Sequence, residues 1–246
     1  MEHGQQAAAL AASCGLTCEK LRAQSTLQLG VAINRPLTLA HWRTLGTLAR
    51  CNLMPALRKL IIVGSNHGDQ GVALFAAGLR RGGQLPSLRS LALNSTQIGL
   101  EGATALASAL TKRALPALES LHLATNFIGD QGLAALAPAL HKLHRLMMLF
   151  LNDNQITDEG LDFLLGQPPK PGVLASMQVL FLQDNQITDE GCTALTVALK
   201  GAVLPELQQL NLDNNTASKR ARHGQAVIQE ITNRCGGFLI VSWCHV

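Results

Sequence analysis

The sequence predicts an α/β solenoid of about eight strand–helix units. Three observations carry this. A short leucine pattern recurs at a nearly constant interval. Each good copy is followed at fixed distances by a small polar residue and then by a glycine. After that glycine the leucines change from strand spacing to helix spacing. Alternation marks a strand with one buried face, and spacing of three or four marks a helix with one buried stripe. A repeat of both together marks stacked units.

The elements follow in order. Residues 1–20 are expected to form a helix that covers the first unit, and residues 21–246 carry seven to eight repeats. STLQLG (Ser25–Gly30) is a weak first copy and LRKLII (Leu57–Ile62) a good one. LRSLAL (Leu88–Leu93), LESLHL (Leu118–Leu123), LMMLFL (Leu146–Leu151), MQVLFL (Met177–Leu182) and LQQLNL (Leu207–Leu212) share the form L-x-x-L-x-L. Successive starts from Leu57 are spaced by 31, 30, 28, 31 and 30 residues. FLIVSW (Phe238–Trp243) supplies the last strand.

Eight places after each start stands Ser65, Thr96, Asn126, Asn154, Asn185 or Asn215. Such side chains bond backbone groups in tight turns. Fourteen places after the start stands Gly71, Gly102, Gly132, Gly160 or Gly191. Helices follow, with Leu106/Leu110 and Leu136/Leu140 at helical spacing and alanines that permit close helix approach. Leu-Pro steps at Leu85, Leu115 and Leu204 end a helix and start an extended segment.

This unit resembles a leucine-rich repeat of the ribonuclease-inhibitor-like type, over nearly the whole chain. The resemblance implies a right-handed horseshoe with parallel strands on the concave side and helices on the convex side. It implies no single function, since the fold hosts inhibitors, GTPase activators and sensor modules. Basic ribonucleases fit poorly as partners, because the ribonuclease inhibitors are acidic and rich in cysteine.

Composition bounds the remaining choices. The chain has 246 residues, 47% hydrophobic and only 15% charged, with a net charge of +4. That charge is too small to indicate nucleic acid. No apolar run reaches the ~18 residues of a membrane span. The six cysteines are dispersed without a Cys-x-x-Cys pair. That pattern fits reduced thiols and a cytoplasmic setting. The basic run SKRARH (Ser218–His223) leaves nuclear import open, beside the plainer reading of a solvated loop. Proline-rich GQPPKPG (Gly166–Gly172) shortens one helix and predicts a stiff convex loop.

Chemistry-bearing motifs are missing. No phosphate loop, Gly-x-Ser-x-Gly or His-Glu-x-x-His occurs, so no enzyme, cofactor or metal is expected. The octapeptide DNQITDEG occurs twice, at Asp153–Gly160 and Asp184–Gly191. It lacks EF-hand spacing. Thr157 and Thr188 read as helix N-caps, and the acids after them as complements of the positive helix end. His141 and His144 read as a solvated loop pair.

Function is expected on the concave face, as a protein-interaction module. The central outward column is Gln28, Ile61, Ala92, His122, Phe150, Phe181, Asn211 and Ser242. Phe150 and Phe181 stand in consecutive units, with Met147 beside them and His122 before them. Exposed aromatics mark binding surfaces; the plainer reading is cross-strand stacking alone. Arg58, Lys59 and Arg89 lie toward the N-terminal end, and Asp153, Asp184 and Asp213 form a column toward the other; Glu119 is a further candidate contact residue on this face. The alternatives are a GTPase-activating or other enzyme regulator, and the sensor segment of a larger receptor. The partner is expected to be another protein, with homodimerisation through the exposed strand 238–243 as a further option.

Overall fold

The computed structural model describes residues 22–30, 37–111, 114–166, 173–201, 203–217 and 240–242. The expected N-terminal cap, the run Ser218–His223 and the prolines after Gly166 lie outside the described residues, as do most of the cysteines.

The chain is an α/β solenoid. Eight strands form one sheet in sequence order, and every neighbouring pair is parallel. They are β1 (Thr26–Gly30), β2 (Lys59–Val63), β3 (Ser90–Ala92), β4 (Ser120–His122), β5 (Met148–Phe150), β6 (Val179–Phe181), β7 (Gln209–Asn211) and β8 (Ile240–Ser242). Six helices among the described residues connect them: α1 (Leu39–Arg50), α2 (Gly68–Arg80), α3 (Leu100–Thr111), α4 (Gly129–Leu140), α5 (Asp158–Leu165) and α6 (Asp189–Lys200). Strands repeat about every 4.8 Å, whereas packed helices need 8–10 Å. The helix side must therefore be longer than the strand side, which makes the sheet concave.

One core runs through all units. The leucines at the first, fourth and sixth places are buried in every good copy, as at Leu118, Leu121 and Leu123. The helix leucines meet them from the other side, as at Leu133, Leu136 and Leu140. Helix α5 has 8 residues where α4 and α6 have 12. It stops at Gly166, just before the prolines, as the sequence predicts.

The polar residue at the eighth place is buried from Ser65 to Asn185 and half-buried at Asn215, and it bonds backbone groups of the turns. Asn126 Oδ1 accepts from the backbone N–H of Thr96 and Ile98 at 3.1 and 3.0 Å. Its Nδ2 donates to the carbonyls of Leu93, Leu123 and Ala124. Asn154 and Asn185 repeat the pattern, and Asn215 continues it by accepting from Ile187. Each asparagine thus satisfies its own turn and the turn of its neighbour. In the second unit Ser65 fills the place with a shorter side chain and accepts from Trp42 Nε1 at 3.2 Å.

Thr157 and Thr188 cap α5 and α6 by accepting from the backbone N–H of Glu159 and Glu190. The acids of the first turn serve a different helix from the one the sequence predicts. Asp158 accepts from Thr188 N at 2.8 Å and from its hydroxyl, in the next unit. Asp130 accepts in the same way from Thr157 N and Gly160 N, and Asp69 from Gly99 N and Gly102 N. Each aspartate therefore ties its own unit to the positive end of the following helix. The reason is reach: stacked helices begin side by side, so a first-turn carboxylate faces its neighbour.

Two adjacent residues of the octapeptide should respond oppositely to substitution. Asn154→Ala strands several buried backbone groups and is expected to cost about 3 kcal/mol. Asp153 has φ 55°, so Asp153→Gly is expected to be neutral or slightly stabilising. Urea unfolding of both variants measures the difference.

Candidate functional site

The concave column has the register that the leucine frame predicts. Gln28 pairs with Ile61, Ile61 with Ala92, Ala92 with His122, His122 with Phe150, Phe150 with Phe181, Phe181 with Asn211, and Asn211 with Ser242. Parallel pairing without a slip holds these residues in one line, because their leucine neighbours are all needed on the other face.

The middle of the line is an aromatic ladder. The His122 ring stacks on Phe150 at 4.2 Å with planes 6° apart. Phe150 meets Phe181 edge-on at 5.0 Å and 76°. All three are half-exposed, so the ladder both packs on itself and presents ring surface outward. Mutual stacking and an open face coexist here, which the sequence alone left as alternatives. Met147 and Met148 are also half-exposed. Met148 shares a register line with Ser120 and Val179, on the flank of the ladder.

His122 is held in place. Its Nε2 shares a hydrogen bond of 2.7 Å with the Ser120 hydroxyl, two residues earlier on the same strand face. Burial, and secondarily the positive charge of Lys59, lower its pKa from the ordinary 6.5. The neutral ring is therefore favoured, as flat stacking on Phe150 requires least desolvation of a charge.

The charged residues divide into three settings. Arg58, Arg89, Glu119 and Met147 follow one another in adjacent units, each donating its backbone N–H to the carbonyl of the one before. Within that line Arg89 Nη1 meets Glu119 Oε1 at 2.9 Å. Glu119 therefore answers Arg89 locally, while Arg58 and Lys59 are exposed at the N-terminal end. At the other end the expected column of Asp153, Asp184 and Asp213 is out of register. Asp153 and Asp184 share their place with Asn214, and all three have φ between 54° and 58°. Asp213 stands one residue earlier, where its neighbours are Asn152 and Gln183; its carbonyl accepts from Asp184 N. The unit carries Asp-Asn-Asn where the two before it carry Asn-Asp-Asn and Gln-Asp-Asn, so its acid falls one place early. Asp153 and Asp184 are exposed, but their residue type follows from the left-handed turn, which short polar side chains tolerate. Asp184 also accepts from Asn214 Nδ2 at 2.8 Å.

Two features escaped sequence reasoning. The line Asp69, Asp130, Asp158, Asp189 is broken by Leu100, which is 50% exposed. Phe127 stands where other units carry Gln97, Gln155 and Gln186, and is 59% exposed. Phe127 N donates to Ile98 O, which brings these two apolar departures to the same flank. Aligning the units by column, rather than reading them along the chain, would have found both. His141, expected to be solvated, instead bonds Leu164 O at 2.8 Å through Nε2. Among the described residues no group of three or more His, Cys, Asp or Glu is placed to hold a metal. No described helix is long and apolar enough to cross a membrane. Cys192 is buried, and burial raises its thiol to about 12, which makes it unreactive.

A proton titration of the His122 ring should have its midpoint below 6.5. Its stabilising contribution is then complete above 6.5 and is lost as pH falls through the folded pKa. Lys59→Gln should recover only the smaller part of the shift, because burial is the larger cause. An NMR titration of the ring protons in both proteins checks the order of causes.

Comparison with known proteins bears on the fold. The family described as Leucine Rich repeat matches residues 84–107, 115–137, 149–165 and 173–195. No curated protein sequence matches significantly. Among solved structures, an internalin from Listeria monocytogenes is similar at 23% identity and a TM-score of 0.40, over 85% of this chain. The chain spans 60% of that internalin chain. Leiomodin-1 Actin-Binding Site 2 is similar at 16% identity and a TM-score of 0.45, over 82% of this chain and 92% of that one. The four matched segments fall on successive units of one parallel sheet, so the fold is that of a leucine-rich repeat solenoid.

Proposed function

We propose that the protein is an interaction module that binds another protein on its concave face. The observation that carries this is the ladder His122–Phe150–Phe181, three half-exposed rings in register. The fold demands leucines on the other face, but it sets no requirement for aromatics on this one. Asn211 and Ala92 fill the same column in neighbouring units. Aromatic rings give large contact area at small entropic cost, which suits them to be the centre of an interface.

The flanking residues supply direction. Arg58 and Lys59 precede the ladder, the Arg89–Glu119 pair borders it, and Asp153 and Asp184 follow it. The partner surface that fits is apolar at its centre, acidic toward the N-terminal end of the solenoid and basic toward the other end. Such a gradient sets orientation and association rate more than affinity. We also read the units as ribonuclease-inhibitor-like, because their period is 28 to 31 residues and four of the described helices have 12 residues.

Photo-cross-linking tests the site. A cross-linking residue at Gln209, on the concave face, is expected to capture a discrete partner from the source cell, whereas one at Thr104 on α3 is not. Phe150→Ala with Phe181→Ala should abolish the Gln209 product and weaken binding of the captured partner by about 2–4 kcal/mol. Circular dichroism should show the double variant still folded. Undiminished capture by a folded double variant sinks the site.

A further inference from the structure

Helices α1 and α2 meet more closely than side chains would permit. A Cβ on Gly78 would lie 2.1 Å from the carbonyl oxygen of Gly46, and one on Gly46 would lie 2.7 Å from that of Leu74. Backbone thus packs on backbone where the two helices touch. A groove of about 260 Å³ runs along the seam. Its walls are Arg43, Thr47 and Arg50 from α1, and Leu74, Ala77 and Arg81 from α2 and its C-cap. Three guanidinium groups share this small concavity, and among the described residues no carboxylate lines it.

Helix capping explains two of the three. Arg50 stands in the last turn of α1 and Arg81 at the C-cap of α2, where a cation offsets the negative helix end. It does not reach Arg43, which precedes Arg50 by about two turns, or roughly 10 Å. The end effect fades within one turn. Pairing within the helix does not explain Arg43 either, since α1 contains no Asp or Glu. The one acid of α2, Asp69, sits in the opposite end turn and accepts from Gly99 N and Gly102 N.

We propose that this groove binds a small molecule carrying two phosphate groups. A guanidinium fork takes phosphate oxygens in pairs, which a lysine does not. Arg43 marks one end of the groove, and Arg50 with Arg81 the other. That separation suits two phosphates on a short carbon scaffold, and the apolar Leu74 and Ala77 between them suit its C–H face. The groove is too small for a folded partner. The same chemistry occurs in a soluble sugar bisphosphate and in a phosphoinositide headgroup. The site lies on the helix side, so it stands or falls separately from the concave interface.

The test uses the full chain. Calorimetric titration with fructose bisphosphate and with inorganic phosphate covers the soluble source. Sedimentation with phosphatidylcholine vesicles, with and without phosphatidylinositol bisphosphate, covers the headgroup. Saturable binding to either bisphosphate, stronger than to inorganic phosphate, is expected. Arg43→Glu with Arg81→Glu should weaken it by about tenfold or more. The charge-matched pair Arg145→Glu with Lys200→Glu, remote from the groove, should leave it nearly unchanged. Where the glutamate pair melts below the wild type, Arg43→Gln with Arg81→Gln gives the same comparison without charge reversal. Binding in only one of the two arms identifies the source and still supports the site. Absence of binding in both arms overturns it, and so does equal weakening by groove and control pairs.

Discussion

The structure depends on buried turn residues that bond to two units at once. A solenoid has no closed core, so its backbone turns are enclosed by neighbouring units instead of by water. Each turn therefore needs a polar partner inside the stack. Asn126, Asn154 and Asn185 supply it, with the amide oxygen serving the preceding unit and the amide nitrogen both the residue's own turn and the preceding one. This is why asparagine dominates the place. It alone among short side chains offers an acceptor and two donors. Where only one role is needed, at the N-terminal end, Ser65 and Thr96 suffice.

The buried asparagines also fix everything around them. Register cannot slip by one residue without pulling the asparagines from their partners and turning the leucines outward. Helix starts are fixed in turn by Asp69, Asp130 and Asp158, each tied to the next unit. Both faces of the stack are thereby locked by hydrogen bonds between units as well as by apolar contact. With so many positions determined by the fold, a departure at an undetermined position is informative. The aromatic ladder, Phe127 and Arg43 are departures of this kind, and Leu100 departs at a place where other units carry an anchoring aspartate.

Much of this was legible in the sequence because repetition averages out local ambiguity. A single LESLHL is a weak strand signal, but several in one frame gave the strands, their order and the concave column. Helix caps at Thr157 and Thr188 were legible for the same reason. What was not legible depended on reach across units. Asp158 reads as a complement to its own helix, and only packing shows its carboxylate at Thr188. Asp213 reads as the third member of an aspartate column, because Asp-Asn-Asn offers two choices and the backbone takes the second: φ is positive at Asn214. The closeness of α1 and α2 was invisible, since Gly46 and Gly78 look like ordinary helix glycines until their backbones touch.

The two aspartates of DNQITDEG separate structural repetition from surface choice. The second one in each copy is held by bonding: Asp158 anchors the neighbouring helix, and its loss would free two donors at Thr188. The first is set by conformation, with one side-chain bond in the second copy, where Asp184 accepts from Asn214 Nδ2. Its turn asks for a residue that tolerates the left-handed region, and Ser95, Thr125 and Asn214 meet that demand elsewhere. Negative charge at Asp153 and Asp184 is thus permitted by the fold but not required by it. The same holds for the rings at Phe150 and Phe181, which follow leucines that are required. Two unrequired residue types, recurring together in the same two consecutive units, are more economically explained by a shared surface than by two independent accidents of the repeat.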